Sequence, residues 1–407
     1  MRLRILTLNA WALPWPLADE PNARMDAIGE RLGSLDADVV AFQEVWSPPA
    51  RRRLLEAGRR AGYDQVWSQP GSVGSSGMLV LSRLPIRESH FIRFSLCGFP
   101  QDVTRGDYYG GKGIAIVTLD TAEGPVALLS THLIPHYGDY GPDDTYMGHR
   151  IAEVVELADA LSRIEIPAIV VGDFNFTERE PEYEVLMGLS GLTDVAAALE
   201  WREVTIVPGP PYRANESPPG VRIDYVFARD GVERAVVPQS IDRVLDETIE
   251  IEGRPAGYSD HAGLLAEVSF GGRRPVRTPP SAEAVARAAK FLREGRADAE
   301  RRRQDQLGLA AGGGVVALAA VGSASIVPMS RRKLLRAALI GLPAIALASS
   351  AGVGWLADRA VVQELAGYDE VEQLLEGIGR ARGGDISEVG SRWAPAATRG
   401  ESRGAES

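Results

Sequence analysis

Short apolar runs recur through the first two-thirds of the chain. They read "DVVAFQEV", "GMLVLS", "GIAIVTL", "VALLSTH", "AIVVGDFN", "RIDYVFA" and "LLAEVSF", each bounded by Gly, Pro, Asp or Ser. Runs of this length and punctuation predict strands. The opening "MRLRILTLNA" reads as a first strand and lacks the long apolar core of a secretory signal. Between the runs, "HRIAEVVELADALSRI" over 149–164 sets apolar residues three and four apart, which predicts a helix. Strands and helices mixed in this way predict one α/β domain over residues 1–272.

The texture changes after "GGRRPVRTPP". Residues 273–306 read as a linker and a charged helix beside a membrane. Leu307–Val327 and Ala337–Ala357 carry no charged residue, with Pro343 inside the second. About 20 apolar residues cross a bilayer as a helix, so 307–357 predicts a transmembrane hairpin. A pair of buried Ala/Gly-rich helices in a soluble domain is the competing reading. Arg301, Arg302 and Arg303, just before the first span, suit anionic headgroups. Residues 358–407 read as a polar tail, partly disordered. The absence of a signal places the catalytic domain on the cytosolic face. The basic "SRRK" between the spans favours that same side, and a simple hairpin does not satisfy both.

Composition narrows the chemistry. Cys97 is the single cysteine, so neither an intramolecular disulfide nor a Cys-rich zinc site is possible. The net charge is −11, and the acidic excess lies within 1–274. Nucleic-acid binding leans on phosphate neutralisation, so such a body is not expected to bind nucleic acid. Lysine occurs only at 112, 290 and 333 in an arginine-rich chain, which singles out Lys112.

Most ionisable candidates fall at predicted strand ends, where side chains from several strands can meet in one cleft. Asn9, Glu44, His132, Asp173 and Asn175 close strands, Asp224 lies in "RIDYVFA", and Asp260 and His261 precede the last strand. Asn9, Glu44, Asp173, Asn175 and Asp260 offer hard oxygen ligands, the set magnesium prefers. The ion would draw charge from a phosphoryl group. His261 suits a general base, with Asp224 the better candidate to fix its tautomer and Asp260 directed to the metal. His132 would hydrogen-bond a phosphoryl oxygen. Taken singly, "QEV", "GDFN" and "SDH" are ordinary strand ends and turns.

Their order is not ordinary. Asn in the first strand, then "QE", "STHL", "GDFN", "RIDY" and "SDH", resembles the endonuclease/exonuclease/phosphatase superfamily. The resemblance implies a four-layer α/β sandwich and cleavage of phosphate esters with Mg2+, Mn2+ being a substitute. It implies that Glu44 is the main metal ligand, assisted by Asn9, with Asp260 on the metal-bound or water-bearing face. It implies His261 as base on Asp224, and Asp173, Asn175 and His132 placing the nucleophile and phosphoryl group. "LNAWALPWP", "FQEVWS", "CGFPQDVTRGDYYGGKG", "HLIPHY", "YMGHRIAE" and "GVRIDYVF" are similar to the neutral sphingomyelinases of the short type with two C-terminal transmembrane helices. That likeness implies an Asp107–Lys112 switch near the site. It also implies a phospholipid substrate in the bilayer with a choline headgroup, and leaves His136 a candidate for headgroup contact. A nuclease or an inositol-phosphate phosphatase of the same superfamily is the alternative. The Glu that pairs with the corresponding histidine in many nucleases has no counterpart in "GSSGMLVLS".

Overall fold

The computed structural model describes residues 2–69, 76–99, 107–137, 144–215, 219–325 and 333–382. In chain order its elements are β1 (Arg2–Asn9), α1 (Pro21–Leu35), β2 (Val39–Gln43), α2 (Pro48–Arg60), β3 (Gln65–Ser68), β4 (Leu79–Ser82), β5 (Ile86–Arg93) and α3 (Asp107–Gly110). There follow β6 (Gly113–Thr121), β7 (Gly124–His132), α4 (Met147–Ser162), β8 (Ala168–Asp173), α5 (Pro181–Ser190), β9 (Thr193–Asp194) and α6 (Val195–Ala198). The last are β10 (Asp224–Arg229), β11 (Val236–Val244), β12 (Ile249–Ile251), β13 (Arg254–Ala256), β14 (Gly263–Phe270), α7 (Ala282–Ser325) and α8 (Lys333–Arg382).

Two six-stranded sheets run β11-β14-β1-β2-β4-β3 and β5-β6-β7-β8-β10-β9. Side chains of a strand alternate between faces, and here both faces are covered. Leu3 and Ile5 of β1 enter the layer between the sheets, while Leu6 and Leu8 enter the layer under α1 and α2. Ile169 and Val171 of β8 likewise face the other sheet, and Ala168 and Val170 face α4 and α5. Double coverage explains why these strands read as continuous apolar runs. The result is the predicted sandwich of helices, sheet, sheet and helices. Strands β5 and β11 sit at sheet edges with polar, half-exposed patterns, which is why apolar runs did not reveal them.

The C-terminal third departs from expectation. Ala284, Ala288, Leu292 and Ala299 of α7, with Val361, Tyr368, Val371, Leu375 and Ile378 of α8, join the core beneath the second sheet. Residues 282–306, the expected charged helix, and residues 358–382 therefore pack as part of the body. The signal was small residues four apart, which charged neighbours concealed. A Cβ on Gly148 of α4 would lie 2.9 Å from Gly295 Cα and 2.5 Å from the Tyr368 hydroxyl, so glycine permits this close crossing. Among the described residues no helix is long and apolar enough to cross a membrane. The expected transmembrane hairpin is therefore unsupported: Gly308, Gly312, Gly313 and Gly314 dilute the first stretch. Arg331, Arg332 and the segment after residue 382 lie outside the described residues.

Two consequences are measurable. Gly172 has φ +145°, and a Cβ there would lie 1.9 Å from the Thr131 carbonyl oxygen in the neighbouring strand. Gly172→Ala is expected to destabilise by about 3–5 kcal/mol, from strain plus overlap, read as a lower urea midpoint.

Glu156 of α4 is buried, accepting from the Ser95 backbone N–H at 3.1 Å and its hydroxyl at 2.8 Å. Burial pushes its carboxyl up from 4.5 to about 8. The folded chain thus keeps a proton that the unfolded chain releases. This contribution is complete below pH 4.5 and is lost as pH rises through about 8. Glu156→Gln is expected to flatten stability against pH in that window, by about 1 kcal/mol per pH unit. Denaturant titrations at several pH values check it.

Candidate active site

Topology gathers the site at one end of the sandwich. Parallel β1 and β2 end together, with Asn9 beside Gln43, and antiparallel β14 begins at the same edge. In the other sheet parallel β7 and β8 bring His132 beside Asp173, and antiparallel β10 sets Asp224 opposite Asp173. The chain leaves these ends in left-handed turns, at Glu44 (φ 58°) and Asn175 (φ 54°). Backbone strain of this kind costs about 1–3 kcal/mol per residue and persists where the surroundings hold it.

Hydrogen bonds tie the two halves. Asn9 Nδ2 donates to Glu44 Oε1 at 3.1 Å and to Asp173 Oδ2 at 2.9 Å. The backbone N–H of Trp11 donates to Asn9 Oδ1 at 3.0 Å, fixing the amide. Asn9 thus presents its nitrogen to the carboxylates, where a metal ligand was expected to present oxygen. The Asn175 backbone N–H donates to Asp173 Oδ1 at 3.0 Å, and Asn175 Nδ2 to the Leu133 carbonyl at 2.9 Å.

His261 Nδ1 lies 2.9 Å from Asp224 Oδ2, and its Nε2 lies 3.9 Å from Asp173 Oδ2. Nδ1–H therefore donates to Asp224 and leaves Nε2 turned to the acids. Burial alone would depress this imidazole, but the charges of Asp224, Asp260 and Asp173 prevail and raise it to about 10. Asp173 rises to about 7, first through burial and then through the charge of Asp224. Burial, followed by the charge of Asp260, also raises Glu44.

Some expected roles move. The Asp260 carboxylate pairs with Arg213 at 2.7 Å, a commitment competing with metal ligation. Lys112 is buried, 3.0 Å from His132 Nε2 and 2.8 Å from the Leu133 carbonyl oxygen. An ammonium donating to Nε2 leaves the proton on Nδ1. Burial and the Lys112 charge hold His132 well below its ordinary value, hence neutral. His132 lies 3.6 Å from both Glu44 and Asp173, so Lys112, not an acid, orients it. The Asp107 side chain lies outside the described residues. His136 Nε2 faces Asp144 at 3.4 Å. Asp144 pairs with Arg150, which reaches Glu182 at 2.8 Å, so His136 belongs to a buried network that reaches α4 and α5.

The donor set suits a divalent cation. Glu44, His132 and Asp173 present ligand atoms within 4.8 Å of one another, as do Asp173, Asp224 and His261. Glu44 and Asp173, pressed together and both raised in proton affinity by desolvation, call for positive charge, and oxygen donors favour a hard ion. Sequence reasoning missed Ser259, whose hydroxyl donates to the Asn9 carbonyl at 2.6 Å and accepts from the His261 N–H at 3.3 Å. It also missed Arg24, which no motif marks.

With this geometry in hand, comparison with known proteins assigns the class. Residues 6–261 match the Endonuclease/Exonuclease/phosphatase family, and the chain belongs to that family. Within it the chain is similar to a putative neutral sphingomyelinase of Drosophila melanogaster, 29% identical over 276 residues, covering 66% of this chain and 61% of that protein. It is also similar to an inositol phosphosphingolipids phospholipase C of Schizosaccharomyces pombe, 31% identical, covering 47% and 45%. The match thus spans about three-fifths of the fly protein's length and under half of the yeast protein's. A variant of beta toxin from Staphylococcus aureus, crystallised with bound magnesium ions, shares the fold at TM-score 0.50 and 18% identity, over 65% of this chain and 99% of that one.

Proposed function

We propose that the chain is a metal-dependent phosphodiesterase that hydrolyses the headgroup linkage of a phosphosphingolipid, sphingomyelin or a related choline lipid first. The observation that carries this reading is the His261–Asp224 pair facing Asp173 and Glu44 across the two sheets. Water oxygen bonds to phosphorus as its proton passes to His261 Nε2, and the bond from phosphorus to the lipid alcohol oxygen breaks, its electron pair leaving on that oxygen, which takes a proton from solvent. Asp224 holds the imidazole with Nε2 free and stabilises the imidazolium that forms. Lys112 supplies fixed positive charge beside the phosphoryl group, and Asn9 and Asn175 hold Asp173 in place. Glu44 and Asp173 would hold magnesium, with manganese a substitute; the bound ion would neutralise the carboxylates and polarise a phosphoryl oxygen.

Phosphoinositol is the second headgroup to test, because the yeast relative is a phospholipase C for inositol phosphosphingolipids. The acidic body argues against a nucleic-acid substrate. The reading extends to location, with the body at the cytosolic face of a membrane and exposed Leu307, Leu309, Val315 and Trp355 of the C-terminal helices against lipid. Protease accessibility in sealed vesicles of known orientation tests that placement. For the activity, a panel of sphingomyelin, inositol phosphosphingolipid, lysophospholipid and DNA is incubated with magnesium, and products are weighed by mass spectrometry. Headgroup phosphate from a sphingolipid, abolished by chelator, is expected; faster nicking of DNA than lipid cleavage overturns the reading.

A further inference from the structure

The segment joining β1 to α1 leaves the site at Asn9 and carries no charge from Ala10 to Ala18. Its tip, Pro14-Trp15-Pro16-Leu17, is exposed throughout, Trp15 at 80% and Leu17 at 64%. Large apolar side chains held in water together call for a reason.

This tip is anchored at its base. Arg24 is fully buried, and its guanidinium donates to four backbone carbonyls: Asp19 at 2.7 Å, Ala10 at 2.9 Å, Tyr258 at 3.0 Å and Trp11 at 2.6 Å. It lies 4.9 Å from the Trp11 ring centroid. Two further bonds, from Ala12 N–H to the Glu44 carbonyl and from Ser47 N–H to the Ala12 carbonyl, fix the base to the segment between β2 and α2. One buried cation thus ties both ends of the loop to the turn at Tyr258 that precedes His261.

The tip also shows few polar backbone groups. Pro14 and Pro16 have no N–H, and the Leu17 N–H donates to the Pro14 carbonyl at 2.9 Å. A backbone stripped of donors loses little on leaving water. Across the cleft, Trp11 meets Tyr212 at 5.0 Å. Tyr212 lines a small cavity shared by His261, Asp260 and Val207, and Val207 is itself 37% exposed.

We propose that the Trp15–Leu17 tip is a lipid-contact element that seats the mouth of the site on a bilayer surface. Tryptophan suits the boundary between headgroups and acyl chains, and the two prolines favour lipid over a peptide partner, which would use backbone donors. The inference rests on the lipid reading above.

The test uses the full chain, vesicles of phosphatidylcholine and sphingomyelin, and the water-soluble ester 4-nitrophenyl phosphocholine. Brominated lipid should quench wild-type tryptophan fluorescence, and Trp15→Phe should remove part of that quenching. Trp15→Ser with Leu17→Ser should cut hydrolysis of vesicle lipid ten-fold or more, leave the soluble ester within two-fold, and keep the melting temperature. Unchanged quenching in Trp15→Phe, or equal losses on both substrates, overturns the proposal. Should the wild type cleave neither substrate while Trp15-dependent quenching persists, the contact stands and the catalytic reading falls.

Discussion

Asp224→Asn is expected to lower kcat by about 10³–10⁴-fold with little change in KM, and His261→Ala by at least about 10²-fold. Asp224 accepts from His261 Nδ1 at 2.9 Å. An asparagine amide in its place can donate to that nitrogen, which puts the imidazole proton on Nε2, the atom that must take one from water. The shape is retained, so the fold survives. His261→Ala is harsher, since it leaves the buried Asp224 carboxylate without its imidazole, a loss of about 3–5 kcal/mol. The paired variants therefore separate chemistry from folding. His261 at about 10 holds its proton at neutral pH. A cation among the acids repels that proton and lowers the value. The acid limb of kcat/KM against pH should therefore move to lower pH as magnesium rises, and the limb should vanish in Asp224→Asn.

Glu44→Gln is the second large effect, with kcat/KM expected to fall by more than about 10³-fold at fixed magnesium (over ~4 kcal/mol of transition-state stabilisation). Glu44 is raised by burial and by the charge of Asp260; its ionised form is uncomfortable until a cation arrives. Removing that charge should raise the melting temperature of metal-free protein. It should also erase the gain that magnesium gives the wild type, about 2.7 kcal/mol at a hundred-fold excess over Kd. Opposite signs with and without metal are a pattern that a merely structural glutamate does not give.

Both predictions concern residues that were legible in the sequence, and the reason is physical. Strands covered on both faces are apolar along their length, so a carboxylate at the end of "AIVVGD" or beside "AFQ" stands out against its run. The edge strands β5 and β11 carry no such contrast. Nor does Arg24, whose partners are backbone carbonyls from Ala10 to Tyr258 that only the folded chain brings together. Sequence alone points Asp260 at a metal, because Arg213, forty-seven positions earlier, pairs with it only in the folded chain. Lys112 was noticed for its rarity, but its contact with His132 needed the register of β6 against β7. Composition alone does not separate two readings of the C-terminal helices, because alanine and glycine serve close helix packing as well as a bilayer.

The central claim is that water attacks phosphorus at a metal-dependent site built from both sheets. Hydrolysis of sphingomyelin in H₂¹⁸O, with products weighed by mass spectrometry, tests it most directly. One heavy oxygen in the phosphorylated headgroup, none in the lipid alcohol, and no product with chelator or with Asp224→Asn is the predicted result. Label in the alcohol, or undiminished release without a divalent ion, would contradict it.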